Sequence, residues 1–443
     1  MQYSTKINKF LETICEQIRW KKTHNMVCEE IRSHIIDQKN AFIAEGLDEN
    51  VAIDRAIEEM GDPVLIGTEL DRTHRPKTEW NIILLTGIMV LFGFVIRFIA
   101  SREPNTPFML ERSLVSTLIG IGCMAGLYFI DFTILGKYPK SIFTGLTIFT
   151  IISMFLVPII RGQFTIIPFI LLLFPTAMAG IIYNMRTKGY LGIILSGVLF
   201  IFPLFISYMM PNLSLVILTS SIFLTLITMA ILKGWFNVNK LYGILLVYIP
   251  TIFAAGIGFF KLILNSYQRE RLLSIIYPLR DPMGHGYIAA KMADMLKGAK
   301  FIGRGTLEMN SYILPGTHTD YILSYLIHRL GWISFIVVIG VISLFILRSF
   351  RQCHKQKSIL GKLVSTAVLI TFTMEVIFYI ISNLGFPLLN STLPFISYSG
   401  MSTIINMSLI GIMLSVFKSG DIVRDNLLVQ KEEPIKIVAL LIS

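Results

Sequence analysis

Apolar runs of about 20 residues, each long enough to cross about 30 Å of hydrocarbon as a helix, constrain this chain more than any other feature. Ten can be read, near 81-100, 114-135, 141-160, 164-184, 190-210, 213-232, 241-263, 332-347, 363-383 and 401-417. They are continuous and do not alternate apolar with polar, and a helix satisfies its own backbone hydrogen bonds in lipid, so a β-barrel is excluded. With 54% apolar and 15% charged residues among 443, the chain lies outside the range of a soluble domain. The expected fold class is all-α: a polytopic membrane protein with about ten transmembrane helices.

Lys and Arg in short loops mark the cytoplasmic side. Loops after even-numbered runs carry eleven (Lys137, Lys140, Arg186, Lys188, Lys233, Lys240, Arg348, Arg351, Lys355, Lys357, Lys362), and loops after odd-numbered runs carry three (Arg102, Arg112, Arg161). Both termini are therefore expected in the cytoplasm and the long polar island after the seventh run outside. The divisions that follow are a cytosolic helical head (1-76), runs one to seven (81-263), an extracytoplasmic loop (264-331), runs eight to ten (332-418) and a cytosolic tail (419-443). Cys15, Cys28 and Cys353 fall in cytoplasmic segments and Cys123 in a membrane run, so no disulfide framework is expected in the outer loops. No signal peptide is expected either, since no apolar stretch follows the first basic residues.

The head reads as short amphipathic helices. Ile7, Phe10, Leu11, Ile14 and Ile18 form one stripe, and Val27, Ile31, Ile35 and Phe42 a second. Gly46 can end the second helix and Asp48 cap the third, whose buried face is Ile53, Ala56, Ile57 and Met60. Gly61-Asp62-Pro63 supplies a stop, an N-cap and a first-turn Pro for a fourth. The first 80 residues hold 15 acids against 11 bases, while the rest holds 28 bases against 13 acids. A basic membrane part suits anionic lipid or a diphosphate substrate, and no nucleic-acid partner is expected. Snorkelling at helix ends accounts for most of the excess.

In the island, Ile288, Met292, Met295, Leu296 and Ala299 share a helical face, as expected of a helix lying in the membrane interface. Gly298, Gly303 and Gly305 follow, where backbone can approach a neighbour closely. Asp320 stands just before an apolar run, so its residue type allows an N-cap as readily as a catalytic acid. Glu375 lies mid-run and Asp131 near a run's cytoplasmic end. An ionisable group at membrane depth is a functional candidate, though Asp131 can reach the interface and Lys137. Asn383, Ser397 and Asn406 suit hydrogen bonds between helices.

Four ordered blocks, YQRERLLSIIYPLRDPMGHGY, GAKFIGRG, LPGTHTDYILSYLIHRLGW and LPFISYSGMSTIINMSLIGIMLSV, resemble the signatures of the shape, elongation, division and sporulation family. The head, through its EMGDP-containing segment, resembles HAAS-type helical modules, which implies a regulatory or partner-binding role. The family resemblance implies peptidoglycan glycosyltransferase activity on polyprenyl-diphosphate-linked disaccharide in the bacterial plasma membrane, with a monofunctional transpeptidase as partner. It implies Asp320 of the HTD block as catalytic residue. For the leaving diphosphate, Arg271 is the first candidate, with Lys300, Arg304, His318 and Thr319 beside it. Arg271 can equally snorkel. Gly303, Gly305, Pro315, Pro394, Ser397, Gly400, Ser402 and Asn406 are motif positions. No cofactor is expected; any divalent cation would arrive with substrate.

Several family acids are missing. Gly316 stands where the family has Glu before HTD, and His328-Arg329 where it has two acids; Ser399 and Met401 replace a Gly and a Ser. FPTAM at 174-178 and Pro211-Asn212-Leu213 also depart from acid-containing blocks. Two rival readings therefore stand beside the enzyme: a flippase or transporter using Asp131 and Glu375, and a non-catalytic scaffold of the wall-synthesis machinery.

Overall fold

A computed structural model describes residues 2–420 apart from 76–77, 101–108, 158, 161–162, 211, 278–280, 285, 307–318, 388 and 390. The chain divides into two compact units, 1–78 and 79–443. In the first, α1 (Gln2–Gln17), α2 (His24–Ala44), α3 (Glu49–Met60) and α4 (Pro63–His74) enclose Phe10, Leu11, Ile14, Ile18, Val27, Ile31, Ile35 and Ala56. Gly46 ends α2 with φ +96°, a backbone region that L side chains avoid. Asp48 and Asp62 cap α3 and α4 by accepting from the Asn50 and Val64 amides. Cys15 and Cys28 face each other across α1 and α2 within this head.

The second unit is helical almost throughout. Its elements are α5 (Trp80–Ala100), α6 (Met109–Phe129), α7 (Ile134–Lys137), α8 (Pro139–Leu156), α9 (Ile167–Leu171), α10 (Phe174–Met185), α11 (Gly189–Met209), α12 (Leu213–Leu232), α13 (Lys240–Leu264), α14 (Ser266–Ile276), α15 (Tyr287–Lys297), α16 (Ile322–Leu330), α17 (Trp332–Lys355), α18 (Ile359–Asn383) and α19 (Gly400–Ser419). A two-residue ladder, β1 (Ile159–Ile160) with β2 (Gln163–Phe164), turns the chain after α8. Among the described residues, nine stretches are long and apolar enough to cross a membrane.

Nine differs from the ten runs for a local reason. The expected fourth and fifth crossings form one 43-residue apolar stretch, Ile167–Met209, bent at Arg186–Lys188. The fourth is no single helix: α9 and α10 each start with Pro in the first turn, at Pro168 and Pro175, where a ring without N–H fits a helix start but not its interior. At 12 residues, α10 rises about 18 Å, too short to cross alone. It is buried on nearly every side and packs against α8, α11, α12 and α18, which suits its uniformly apolar sequence.

The helix pair that closes the unit joins distant parts of the chain. The α6 and α19 helices run parallel, with Gly400 against Ser116, Gly120 against Met407 and Gly411 against the backbone of Met124. A Cβ at Gly411 would come within 2.5 Å of the Met124 carbonyl oxygen, so only glycine permits this approach. Ser415 Oγ donates to the Ile130 carbonyl at the far end.

Candidate active site

Asp320 sits at the entrance to α16, yet it does not cap that helix. The N-cap position is Tyr321, with no side-chain cap bond. The cap comes instead from α18, 59 residues away in sequence: Asn383 Oδ1 accepts from the Ser324 amide at 3.0 Å and from Ser324 Oγ at 3.1 Å. Asn383 Nδ2 donates back to the Asp320 carbonyl at 2.9 Å. Beside it, Tyr379 Oη donates to the Thr319 carbonyl at 3.3 Å. Two backbone carbonyls flanking the Asp320 side chain are thus fixed by α18, while the carboxylate accepts no hydrogen bond among the described residues. That removes the N-cap reading of Asp320 taken from its residue type. The side chain is open on one face, and the chain crowding its other side raises the carboxyl above its ordinary value of 3.8 by desolvation.

The loop after α15 runs beside α16. Gly303 N donates to the Leu330 carbonyl (3.0 Å), Gly305 N to His328 O (2.8 Å), Trp332 N to Lys300 O and Ile333 N to Phe301 O (both 3.1 Å). Gly331, at φ +93°, lies so close that a Cβ there would meet the Phe301 carbonyl oxygen at 2.5 Å. His328 is buried against Gly305, and its Nε2 has no partner among the described residues. Burial, then the nearby Arg304 and Arg329 charges, lower its pKa from 6.5. Lys300 and Arg304 are exposed on this loop.

The expected interfacial placement of α15's apolar face is corrected. Met292 and Met295, with Ile288 partly buried, turn that face onto Tyr321, and the helix packs on α16. Leu296 and Ala299 of the same stripe pack against the main core of the membrane unit. Arg271 is carried by α14, its side chain outside the described residues, and Pro315 and His318 lie outside them too.

The final block forms the approach to α19. Pro394 and Ser397 are buried, Ser399 caps α19 through the Ser402 amide, and Ser402 Oγ meets Thr392 Oγ1 at 2.8 Å. Asn406 Nδ2 donates to the Ser402 carbonyl at 3.1 Å. Glu375, on α18, is buried beside Asn406, and its Oε2 has no partner among the described residues. Asp131 accepts from the Thr133 amide, a local turn at the start of α7.

Arg97 was not singled out by sequence. It is 1% exposed on α5 and donates from Nε to Gly93 O at 2.9 Å and from Nη2 to Phe395 O at 3.0 Å. Phe395 stands at φ +67°, a strained position for a side chain with a Cβ, and its carbonyl rests against Gly93. A cation three residues inside an apolar run was the available signal, and the snorkelling rule hid it. Among the described residues no three His, Cys, Asp or Glu side chains gather as a metal site would require.

Three comparisons bear on this arrangement. The family model for FtsW, RodA and SpoVE, described as cell cycle protein, matches residues 77–421. The probable peptidoglycan glycosyltransferase FtsW of Trichlorobacter lovleyi is 29% identical over 155 residues, covering 34% of this chain and 41% of that protein. The peptidoglycan glycosyltransferase MrdB of Escherichia coli K12 is 27% identical over 164 residues, covering 35% of this chain and 43% of its own length. The matched stretch thus spans less than half of these curated relatives. Among solved structures, a chain from a peptidoglycan synthase complex that coordinates polymerization and crosslinking aligns with TM-score 0.57 at 18% identity, over 77% of this chain and 97% of its own. The rod shape determining protein RodA of Thermus thermophilus aligns with TM-score 0.52 at 17% identity, over 77% and 97%. At such identities these likenesses speak to the fold, which is theirs. The match across most of the membrane unit means that the chain belongs to the FtsW/RodA/SpoVE family.

Proposed function

We propose that the protein is a peptidoglycan glycosyltransferase that polymerises polyprenyl-diphosphate-linked disaccharide. The carrying observation is the division of labour at α16: Asn383 does the capping, which leaves the Asp320 carboxylate without a hydrogen bond among the described residues, on a segment held from α18. Asp320 takes the proton from the acceptor sugar hydroxyl. The hydroxyl oxygen then attacks the donor's anomeric carbon from the face opposite the diphosphate, inverting that centre. The bond from anomeric carbon to diphosphate oxygen breaks, and polyprenyl diphosphate leaves with the electron pair. A carboxyl with a raised pKa is a better base than an ordinary one, provided it is ionised at working pH. Arg271, with His318 and Thr319, is assigned to the charge developing on the diphosphate.

In this reading the outer island carries the chemistry, both termini face the cytoplasm of a bacterial plasma membrane, and the head binds a regulator. A monofunctional transpeptidase crosslinks the product, in keeping with the synthase complex whose chain shares this fold. The test is glycan-chain formation from purified lipid-linked disaccharide by the full chain with its transpeptidase, wild type against Asp320→Asn. Loss of polymer in the variant supports the assignment. Full activity in the variant removes Asp320 from the mechanism, and an inactive wild type removes the enzyme.

A further inference from the structure

The loop that clasps α16 ends in an apolar tip with no role in the site above. Phe301 and Ile302 are 62% and 67% exposed, flanked by exposed Lys300 and Arg304, with Lys297 exposed one turn before. The tip's height is fixed by backbone bonds. Trp332 and Ile333, the first two residues of the span Trp332–Lys355, donate to the carbonyls of Lys300 and Phe301. Gly303 N is bound to Leu330 O, and the close approach at Gly331 leaves no room to slide. Two large apolar side chains therefore lie level with the first residue of a membrane helix, ringed by cations.

We propose that Phe301 and Ile302 insert into the headgroup layer of the bilayer at the level where α17 enters it, with Lys300 and Arg304 bound to anionic lipid phosphates. The chemistry is that of an interfacial anchor: apolar side chains leave water while cations stay at the phosphate plane. Charge complementarity and continuity with the α17 boundary favour lipid over a protein partner, since a lipid surface is already present at this height. Because the same loop is bonded to the last residues of α16, the anchor also fixes the height of the Asp320 segment above the bilayer. That consequence rests on the proposed catalytic role of Asp320; the anchor itself does not.

The test uses the full chain with Cys15, Cys28, Cys123 and Cys353 replaced by Ser, carrying Phe301→Cys labelled with an environment-sensitive fluorophore. The protein is placed in phosphatidylcholine vesicles with or without phosphatidylglycerol. A label at Ile302→Cys repeats the measurement independently, and one at exposed Asp281→Cys serves as the aqueous reference. The expected result is blue-shifted emission at 301 and 302, quenched by lipid-borne nitroxide and shielded from a water-soluble quencher, unlike position 281. Adding Lys300→Gln and Arg304→Gln should weaken insertion into phosphatidylglycerol vesicles about fivefold per cation removed. Emission at 301 and 302 as accessible to the aqueous quencher as at 281 overturns the proposal. So does shielding from both quenchers, which would mean that protein covers the tip. Insertion equal in both vesicle types overturns the assignment of the cations. Loss of glycan synthesis is no outcome here, so failure of the enzyme reading and failure of the anchor are told apart.

Discussion

Replacing Asn383 by Leu separates the work of capping α16 from the identity of Asp320. The substitution removes the acceptor for the Ser324 amide, a fully buried group in the first turn of α16, and the donor to the Asp320 carbonyl. An orphaned buried N–H costs about 1–3 kcal/mol and the second bond about 1 kcal/mol, so docking of α16 on α18 should weaken by about 2–4 kcal/mol. Ser324 Oγ keeps its bond to the residue-383 carbonyl, which a side-chain change leaves in place. At about 1.4 kcal/mol per factor of ten, local opening of α16 should rise roughly 30- to 1000-fold. Hydrogen exchange of peptides spanning 321–330, followed by mass spectrometry in detergent micelles, reads that ratio directly. Ser324→Ala, which leaves the amide bond in place, should lose tenfold or less. Polymer synthesis by Asn383→Leu should fall although every proposed catalytic side chain remains. If α16 exchanges within about fivefold of wild type, a change worth about 1 kcal/mol, the cross-helix cap is not what holds this segment.

Other expectations follow from the same geometry. The acidic limb of the pH–rate profile should lie above that of an ordinary carboxylate, because Asp320 must be ionised to act and burial raises its pKa from 3.8; a limb at or below 3.8 contradicts this. His328 has a folded-state pKa below 6.5, so the unfolded chain binds the extra proton first, and stability present above pH 6.5 is lost as pH falls toward the lower value. Protection of the Gly303 and Gly305 amides, taken relative to their intrinsic exchange rates at each pH, should therefore fall below pH 6.5 in wild type but not in His328→Asn. Gly331→Ala should destabilise the clasp by about 2 kcal/mol or more, from positive φ together with the clash on Phe301, seen as a lower melting temperature of the membrane unit. Arg97→Lys keeps the charge but cannot span Gly93 and Phe395 together. It should lower thermal stability by about 1–3 kcal/mol.

Patterns that depend on neighbours in sequence were legible. Apolar runs located the spans, and Gly46, Asp48 and the Gly61-Asp62-Pro63 step located the turns of the head, because caps and stops are local chemistry. Asp320 was read as either cap or catalyst, since both readings fit an Asp before an apolar run. Only the arrival of Asn383 from a helix 59 residues later removes one of them. Arg97 went unseen for a similar reason. A cation near the end of a run usually reaches water, and nothing nearby in sequence announces the Phe395 carbonyl that holds it inside. The divided fourth crossing could have been read from Pro168 and Pro175, but hydropathy averaged over a span masks single prolines.

The parallel pairing of α6 with α19 sets the order in which the protein can be built. The second long helix of the membrane unit, α6, emerges from the ribosome with its glycine-notched face bare, and its partner α19 is the last helix among the described residues. Phe129 and Ser419 are 290 residues apart (419 − 129), which at about 5–20 residues per second is a wait of roughly 15 to 60 s. Throughout that interval the first helix also holds Arg97 without the carbonyl of Phe395. The seam between α6 and α19 therefore closes only once α19 is made, and a chain cut short before it leaves the glycine-notched face of α6 without its partner and Arg97 without the Phe395 carbonyl.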